Sequence, residues 1–328
     1  MSDVKAVYAL KNIQHGFKGK DDIYVDAVSN ISLEVFRNEV LGIAGESGCG
    51  KSTLLKAMYG YVKPPLKILN GSVELLTENK QFEIYSLSPN ELQKNIWYKR
   101  ISYIPQSAMN VLNPTMRIRD HFIELFDVHL NMSKQDAYIQ AQRYSENMGL
   151  PREALDAFPH QLSGGMKQRA VIAMAVSLQP ELILADEPSS ALDVITQKAV
   201  LTLLLEIRKK LGITLVIVSH DMGIHSVLTD RIAVMYAGKL LEVGRTKDIF
   251  DKPMHPYTQA LIESLPRIGD KSYRIGLGGQ PPDLRNPPPG CRFHPRCPHV
   301  MDICKKEEPR LIKKDETKVA CWRHQGVT

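Results

Sequence analysis

Residues 41–60 read "LGIAGESGCGKSTLLKAMYG". Leu41–Ala44 is an apolar run suited to a buried strand, and the stretch after Ser52 has helical apolar spacing. Between them "GESGCGKS", Gly45–Ser52, fits G-x-x-x-x-G-K-[ST]. The glycines let backbone N–H groups turn inward around phosphate oxygens, at a helix N-terminus whose dipole favours negative charge. Lys51 is predicted to reach the β/γ-phosphates and the Ser52 hydroxyl to ligate Mg²⁺. The predicted nucleotide contacts are therefore Gly45, Glu46, Ser47, Gly48, Cys49, Gly50, Lys51, Ser52 and Thr53. Cys49 is expected to give only its backbone N–H, with a thiol that makes the site sensitive to alkylation.

"ELILADEP", Glu181–Pro188, supplies the second half of such a site. Its apolar strand ends at Asp186, where a carboxylate holds Mg²⁺ through water. Glu187 follows, placed to polarise an attacking water. Together the two stretches predict nucleoside triphosphate hydrolysis. Just upstream, "LSGGMKQR" (Leu162–Arg169) reads as a second glycine turn opening a second helix, another phosphate-binding N-terminus. One nucleotide does not need two such loops on one chain. A head-to-tail dimer resolves this, with Ser163, Gly164 and Gly165 of one subunit covering the γ-phosphate held by the other.

Around these motifs, strands alternate with helices, which predicts an α/β core with a largely parallel sheet. Residues 1–40 read as alternating short strands. Residues 63–101 read as a small strand-and-loop insertion, and 116–158 as a helical subdomain set into the core. "GLGGQPPDLRNPPPG" from Gly276 is a Gly/Pro linker leading into a tail module. No run approaches the roughly 18 apolar residues that span a bilayer. "MSDVKAVYALKN" lacks the apolar core of a signal peptide. The expectation is a cytoplasmic chain whose membrane role comes through partners.

In this order and spacing the motifs resemble the nucleotide-binding subunits of ABC transporters, along the whole chain. "LSGGM" resembles their signature, with Met166 where Gln is commonest. "PQS" makes Gln106 the Q-loop residue, "SALD" (Ser190–Asp193) resembles the D-loop, and His220 in "VIVSHD" the switch histidine. The resemblance implies a P-loop ABC ATPase core over residues 1–250: a RecA-like sheet, a β subdomain and a helical subdomain inserted at about 110–165. It implies Glu187 as general base, His220 at the γ-phosphate, Gln106 sensing Mg²⁺, and Phe17 stacking on adenine, with Tyr24 nearby.

"HPYTQAL" (His255–Leu261) followed by "GCRFHPRCP" resembles the C-terminal extension of oligopeptide/dipeptide-type ABC ATPases, here 251–328. One cysteine precedes residue 290 and four follow: Cys291, Cys297, Cys304 and Cys321, spaced C-x5-C-x6-C-x16-C. Disulfides do not suit a reducing cytoplasm. The gaps exceed the usual zinc pairs, whereas four thiolates can hold a [4Fe–4S] cluster. Some members of the resembled group carry that cluster on these cysteines. Iron–sulfur, Zn²⁺ and free thiols remain the readings of the tail. From Arg285 to Thr328 ten Lys/Arg face five Asp/Glu, which accounts for most of the chain's +6. That charge suits an anionic cluster or a Cys₄ zinc site alike.

The implied role is the ATP-hydrolysing subunit of an importer for peptides or similar solutes, at the cytoplasmic face of the membrane. Its implied partners are a related, non-identical ATPase subunit, two transmembrane permeases and, through them, an external solute-binding protein. Oligosaccharide and nickel importers share the extension. A nucleic-acid ATPase of this cassette would carry two cassettes or a long insertion, and neither is visible. Phe293 and Trp322 are too few for a stacking platform, so no nucleic acid is expected. Lys51, Asp186, Glu187, Ser163 and His220 are all intact, which argues against a subunit that binds ATP without hydrolysing it.

Overall fold

The computed structural model describes residues 5–18, 24–78, 80–106, 111–190, 192–265 and 277–326. Ser107 of "PQS", Ala191 of "SALD" and Gly276 at the linker's start lie outside the described residues.

In chain order, β1 (Ala6–Lys18) and β2 (Tyr24–Phe36) precede β3 (Val40–Ala44), which leads through the glycine loop into α1 (Lys51–Tyr59). Next come β4 (Leu66–Leu76), β5 (Gln81–Glu83) and β6 (Ile101–Ile104). Helices α2 (Ile118–Leu130), α3 (Lys134–Asn147) and α4 (Gly164–Val176) lead to β7 (Leu182–Asp186), α5 (Val194–Leu211) and β8 (Thr214–Val218). Then follow α6 (Met222–Leu228), β9 (Arg231–Tyr236), β10 (Lys239–Arg245), α7 (Thr246–Asp251) and α8 (Pro256–Glu263). The tail adds β11 (Ile312–Lys314) and β12 (Thr317–Val319).

Two compact units result, one from residues 1–84 and 218–328, the other from 85–217. The first holds an antiparallel sheet in the order β2-β1-β4-β5. Residues 63–76 are therefore not an insertion: β4 pairs with β1 from Tyr8↔Leu75 to Phe17↔Leu66. The sequence hid this because much of β4 is exposed or half-buried and shows little apolar alternation. The same unit carries the order β11-β12-β10-β9-β3, in which β3–β9 is parallel and the other pairs antiparallel. All five residues of β3 are buried, as an apolar run covered on both faces requires. Tyr236, Tyr257 and Phe293 fill the core beside β9, with Phe293 edge-on to Tyr236 at 5.3 Å.

In the second unit β6 and β7 pair in parallel. Helix α2 buries Ile118, Phe122, Leu125 and Phe126, one helical stripe, and ends at Asn131 with φ 55°. Helix α3 starts at Ser133, whose Oγ accepts the Asp136 N–H at 3.2 Å, and buries Ala137, Ala141 and Ser145. No helix among the described residues is long and apolar enough to cross a membrane.

Candidate functional site

The loop after β3 owes its shape to three glycines. Gly45, Gly48 and Gly50 have φ of 151°, 78° and 102°. A Cβ on Gly45 would lie 2.2 Å from the Met235 carbonyl oxygen, and one on Gly50 2.2 Å from that of Ala27. Gly48 faces open space, so only its backbone angle demands glycine. Lys51 is buried and lies along its own loop, donating from Nζ to the carbonyls of Gly45 at 2.7 Å and Glu46 at 2.8 Å. Ser52 and Thr53, in the first turn of α1, are half-buried. Cys49 is 4% exposed, and burial pushes its thiol pKa up. The side chain turns into the core, an arrangement that disfavours the alkylation sensitivity expected at this place.

What grips the loop was not anticipated. The Glu46 N–H donates to the Tyr257 hydroxyl at 2.9 Å. The Glu46 carboxylate accepts two bonds from Arg296, 2.7 Å from Nη1 and 3.0 Å from Nη2. These bonds raise the pKa of Arg296, whose Nη1 also reaches the Tyr236 hydroxyl at 3.3 Å. The "HPYT" stretch now has a mechanical meaning. His255 caps α8 by accepting the Tyr257 N–H on Nδ1 at 3.0 Å, Pro256 opens the helix, and the buried Tyr257 ring carries its hydroxyl to the loop. Glu242, buried, accepts the Met254 and His255 N–H groups at 2.8 and 3.0 Å.

His220 is exposed just beyond Ser219, whose N–H donates at 3.3 Å to the Ile43 carbonyl of the strand feeding the loop. Behind it His225 is buried, its Nε2 3.1 Å from the Ser219 carbonyl, and burial lowers its pKa to about 4. Phe17 is half-buried in β1, opposite Val25 and Leu66, while the Tyr24 ring covers Gly16.

In the second unit, β7 delivers Asp186, a residue 2% exposed, with Oδ2 accepting the Tyr103 hydroxyl at 2.9 Å. Its hard carboxylate oxygen, like the Ser52 hydroxyl of the other unit, is of the donor type Mg²⁺ takes. Glu187 sits at φ 45°, a left-handed angle unusual for a side-chain-bearing residue. Its Oε2 accepts Gln106 Nε2 at 3.1 Å. The structure thus brings Gln106, Asp186 and Glu187 together.

Ser163, Gly164 and Gly165 form a separate feature. Ser163 is the N-cap of α4, its Oγ accepting the Met166 N–H at 3.3 Å, and both glycines are already helical. This corrects the reading of a glycine turn. Gly165 is required because a Cβ there would lie 2.7 Å from Thr196 Cγ2 of α5. Asp193 caps α5, accepting the Ile195 and Thr196 N–H groups at 3.0 Å each, with Val194 and Ile195 80% and 83% exposed.

In the tail, Cys291, Cys304 and Cys321 are buried and Cys297 is half-buried, all as free thiols. Burial pushes the Cys291 thiol up to about 12, and the nearby Cys304, Cys321 and Cys297 add to the rise. The N–H groups of Phe293, His299 and Arg323 serve the sulfurs of Cys291, Cys297 and Cys321, each two residues back. The donor set and its N–H partners suit a thiolate-held metal. Yet among the described residues no group of three or more His, Cys, Asp or Glu gathers as a metal ion requires.

A glycine loop of this kind serves many nucleotide enzymes, and the class is settled by comparison with known proteins, which points to ABC-type ATP-binding cassettes. The ABC transporter family matches residues 28–190, and the oligopeptide/dipeptide transporter C-terminal region matches 241–304. The dipeptide transport ATP-binding protein DppD of Caldanaerobacter subterraneus subsp. tengcongensis is 41% identical over 329 residues, 99% of this chain and 96% of that protein. The oligopeptide transport ATP-binding protein OppD of Escherichia coli is 38% identical over 288 residues, 87% of this chain and 84% of that protein. A dimeric ATP-binding cassette, MJ0796, in a post-hydrolysis state bound to ADP and Pi, has a TM-score of 0.63 and 28% identity, covering 73% of this chain and 98% of that one. The chain therefore belongs to the ATP-binding proteins of oligopeptide and dipeptide ABC transporters. It is an ATP-hydrolysing transport subunit of that family.

Proposed function

We propose that the chain hydrolyses ATP to drive import of peptides through partner permeases, from the cytoplasmic face of the membrane. The observation that carries this is the loop 45–51, whose three positive-φ glycines and buried lysine serve phosphate binding. The backbone of Gly45–Lys51 binds the phosphates, with Thr53 beside them. Phe17 is the proposed adenine contact. Ser52, Gln106 and Asp186 are the Mg²⁺ residues, and the ion would neutralise phosphate charge. Glu187 takes a proton from water as its oxygen bonds to the γ-phosphorus and the bond to the ADP oxygen breaks. His220 contacts the γ-phosphate.

Ser163, Gly164 and Gly165 act on the ATP held by a related second subunit, in a head-to-tail dimer. The dimeric cassette among the structural neighbours and the exposed Val194 and Ile195 support this assembly. Peptide cargo is favoured by the names of the relatives, over oligosaccharide or nickel. For the tail we propose a [4Fe–4S] cluster on Cys291, Cys297, Cys304 and Cys321, supported by the four free thiols and by N–H donors to three of them, with Zn²⁺ as the other metal these ligands suit. The deciding experiment reconstitutes the complete transporter in proteoliposomes and measures ATP hydrolysis and uptake of dipeptides, oligosaccharide and Ni²⁺. Peptide-stimulated hydrolysis lost in Lys51→Ala supports the reading, and stimulation by another solute alone overturns the cargo.

A further inference from the structure

Glu46 places a carboxylate on a loop built to receive a triphosphate, an arrangement that repels the ligand unless something offsets it. The offset comes from the tail. Arg296 is 250 residues away in sequence and lies directly before Cys297. Its side chain is 6% exposed against 24% for Glu46, and each terminal guanidinium nitrogen meets one carboxylate oxygen. Its Nε is fixed by the Gly278 carbonyl at 2.8 Å. A fork held this way meets the carboxylate bidentately in a fixed orientation.

The tail touches the loop's support a second time. Arg292 Nη1 donates at 2.5 Å to the Ala237 carbonyl, and the next residue, Gly238, donates its N–H at 2.8 Å to the Cys49 carbonyl. Both arginines belong to the Cys291–Cys297 stretch, whose short helix His294–Arg296 is anchored by the His294 N–H on the Cys291 carbonyl at 2.9 Å.

We propose that Arg296 is a positioning residue for ATP: it holds the Glu46 side chain and cancels its charge, so that the loop presents no fixed anion to the triphosphate. Nucleotide affinity is thereby tied to the cysteine-bearing tail. This rests on the reading of residues 45–52 as the ATP loop, and the controls separate the two.

The test is equilibrium binding of Mg-ATP to the full chain, with thermal melting of each variant alongside. Lys51→Ala loses binding if the loop is the ATP site; retained binding there overturns the underlying reading. Arg296→Ala weakens binding by at least about tenfold, because the Glu46 carboxylate is left uncompensated beside a polyanion. The deficit shrinks as salt is raised, because it is electrostatic. Adding Glu46→Gln to Arg296→Ala restores affinity, and Glu46→Gln alone binds ATP more tightly than the parent. If both single changes weaken ATP equally and the double change recovers nothing, the pair is only a strut and the proposal fails. Should Arg296→Ala not fold, Glu46→Gln alone decides by the direction of its effect.

Discussion

Gln106 Nε2 donates to the Glu187 carboxylate across 3.1 Å, and Glu187 holds that position from a backbone φ of 45°. The left-handed angle falls just after β7 ends at Asp186, and the two successive carboxylates serve different partners. Asp186 receives Tyr103 and Glu187 receives Gln106. With Glu187 as the base, Glu187→Gln keeps the shape and loses the proton acceptor. ATP turnover is expected to fall by about 10²-fold or more, with an ATP-bound dimer accumulating on a sizing column. Unchanged turnover would remove Glu187 from the base role.

Tyr257 makes a separate prediction. Tyr257→Phe keeps the ring against Phe293 and Tyr236 but leaves the Glu46 N–H without its acceptor. The folded state should lose about 1–3 kcal/mol, the cost of an unmet backbone donor. Denaturant unfolding measures this, and a variant as stable as the parent shows the bond to be dispensable.

Stability should also fall on acidification. Burial lowers the pKa of His15 and His225 to about 4 and of His255 to about 3. All three lie below the unfolded value near 6.5, so the unfolded chain binds more protons and stability drops as pH falls from about 6.5 toward 4. The loss at pH 5 is about 2 kcal/mol for each histidine. Glu39 and Glu242, whose pKa burial raises, pull the other way. Melting temperature against pH tests the sum. His255→Asn, which keeps a capping side chain, should flatten the slope by one proton, and an unaltered slope would exclude His255 as a contributor.

Cys49 should resist iodoacetamide in the native protein and react once the chain is unfolded, as mass spectrometry of the loop peptide would show. Rapid native labelling contradicts the buried thiol. In the tail, anaerobically purified protein should contain about four iron and four sulfide per chain, lost on Cys→Ser change at the four positions. One zinc without sulfide would replace the cluster with a structural zinc lobe.

The loop 45–52 and the Asp186 strand end were legible because their requirements are local: positive-φ glycines between a strand and a helix, and a carboxylate closing an apolar run. The glycines of "LSGG" look identical on paper, yet Gly165 answers to the Thr196 methyl of a neighbouring helix, which no short window reveals. Tyr257 and Arg296 were invisible as parts of the site for the same reason. They lie 211 and 250 residues from Glu46, and only the folded chain brings them there. "HPY" and "HPR" were recognisable as family marks before their work was.

The strand β12 lies along β10 through Glu242↔Val319 and Val243↔Lys318, and β11 lies outside it with Lys313 and Lys314 exposed. Without this hairpin, the flank of β10 would offer bare N–H and C=O groups to any other extended chain. The hairpin therefore covers what would otherwise be an open edge of the sheet. It closes a sticky rim with a short ribbon whose lysines discourage the next strand from adding.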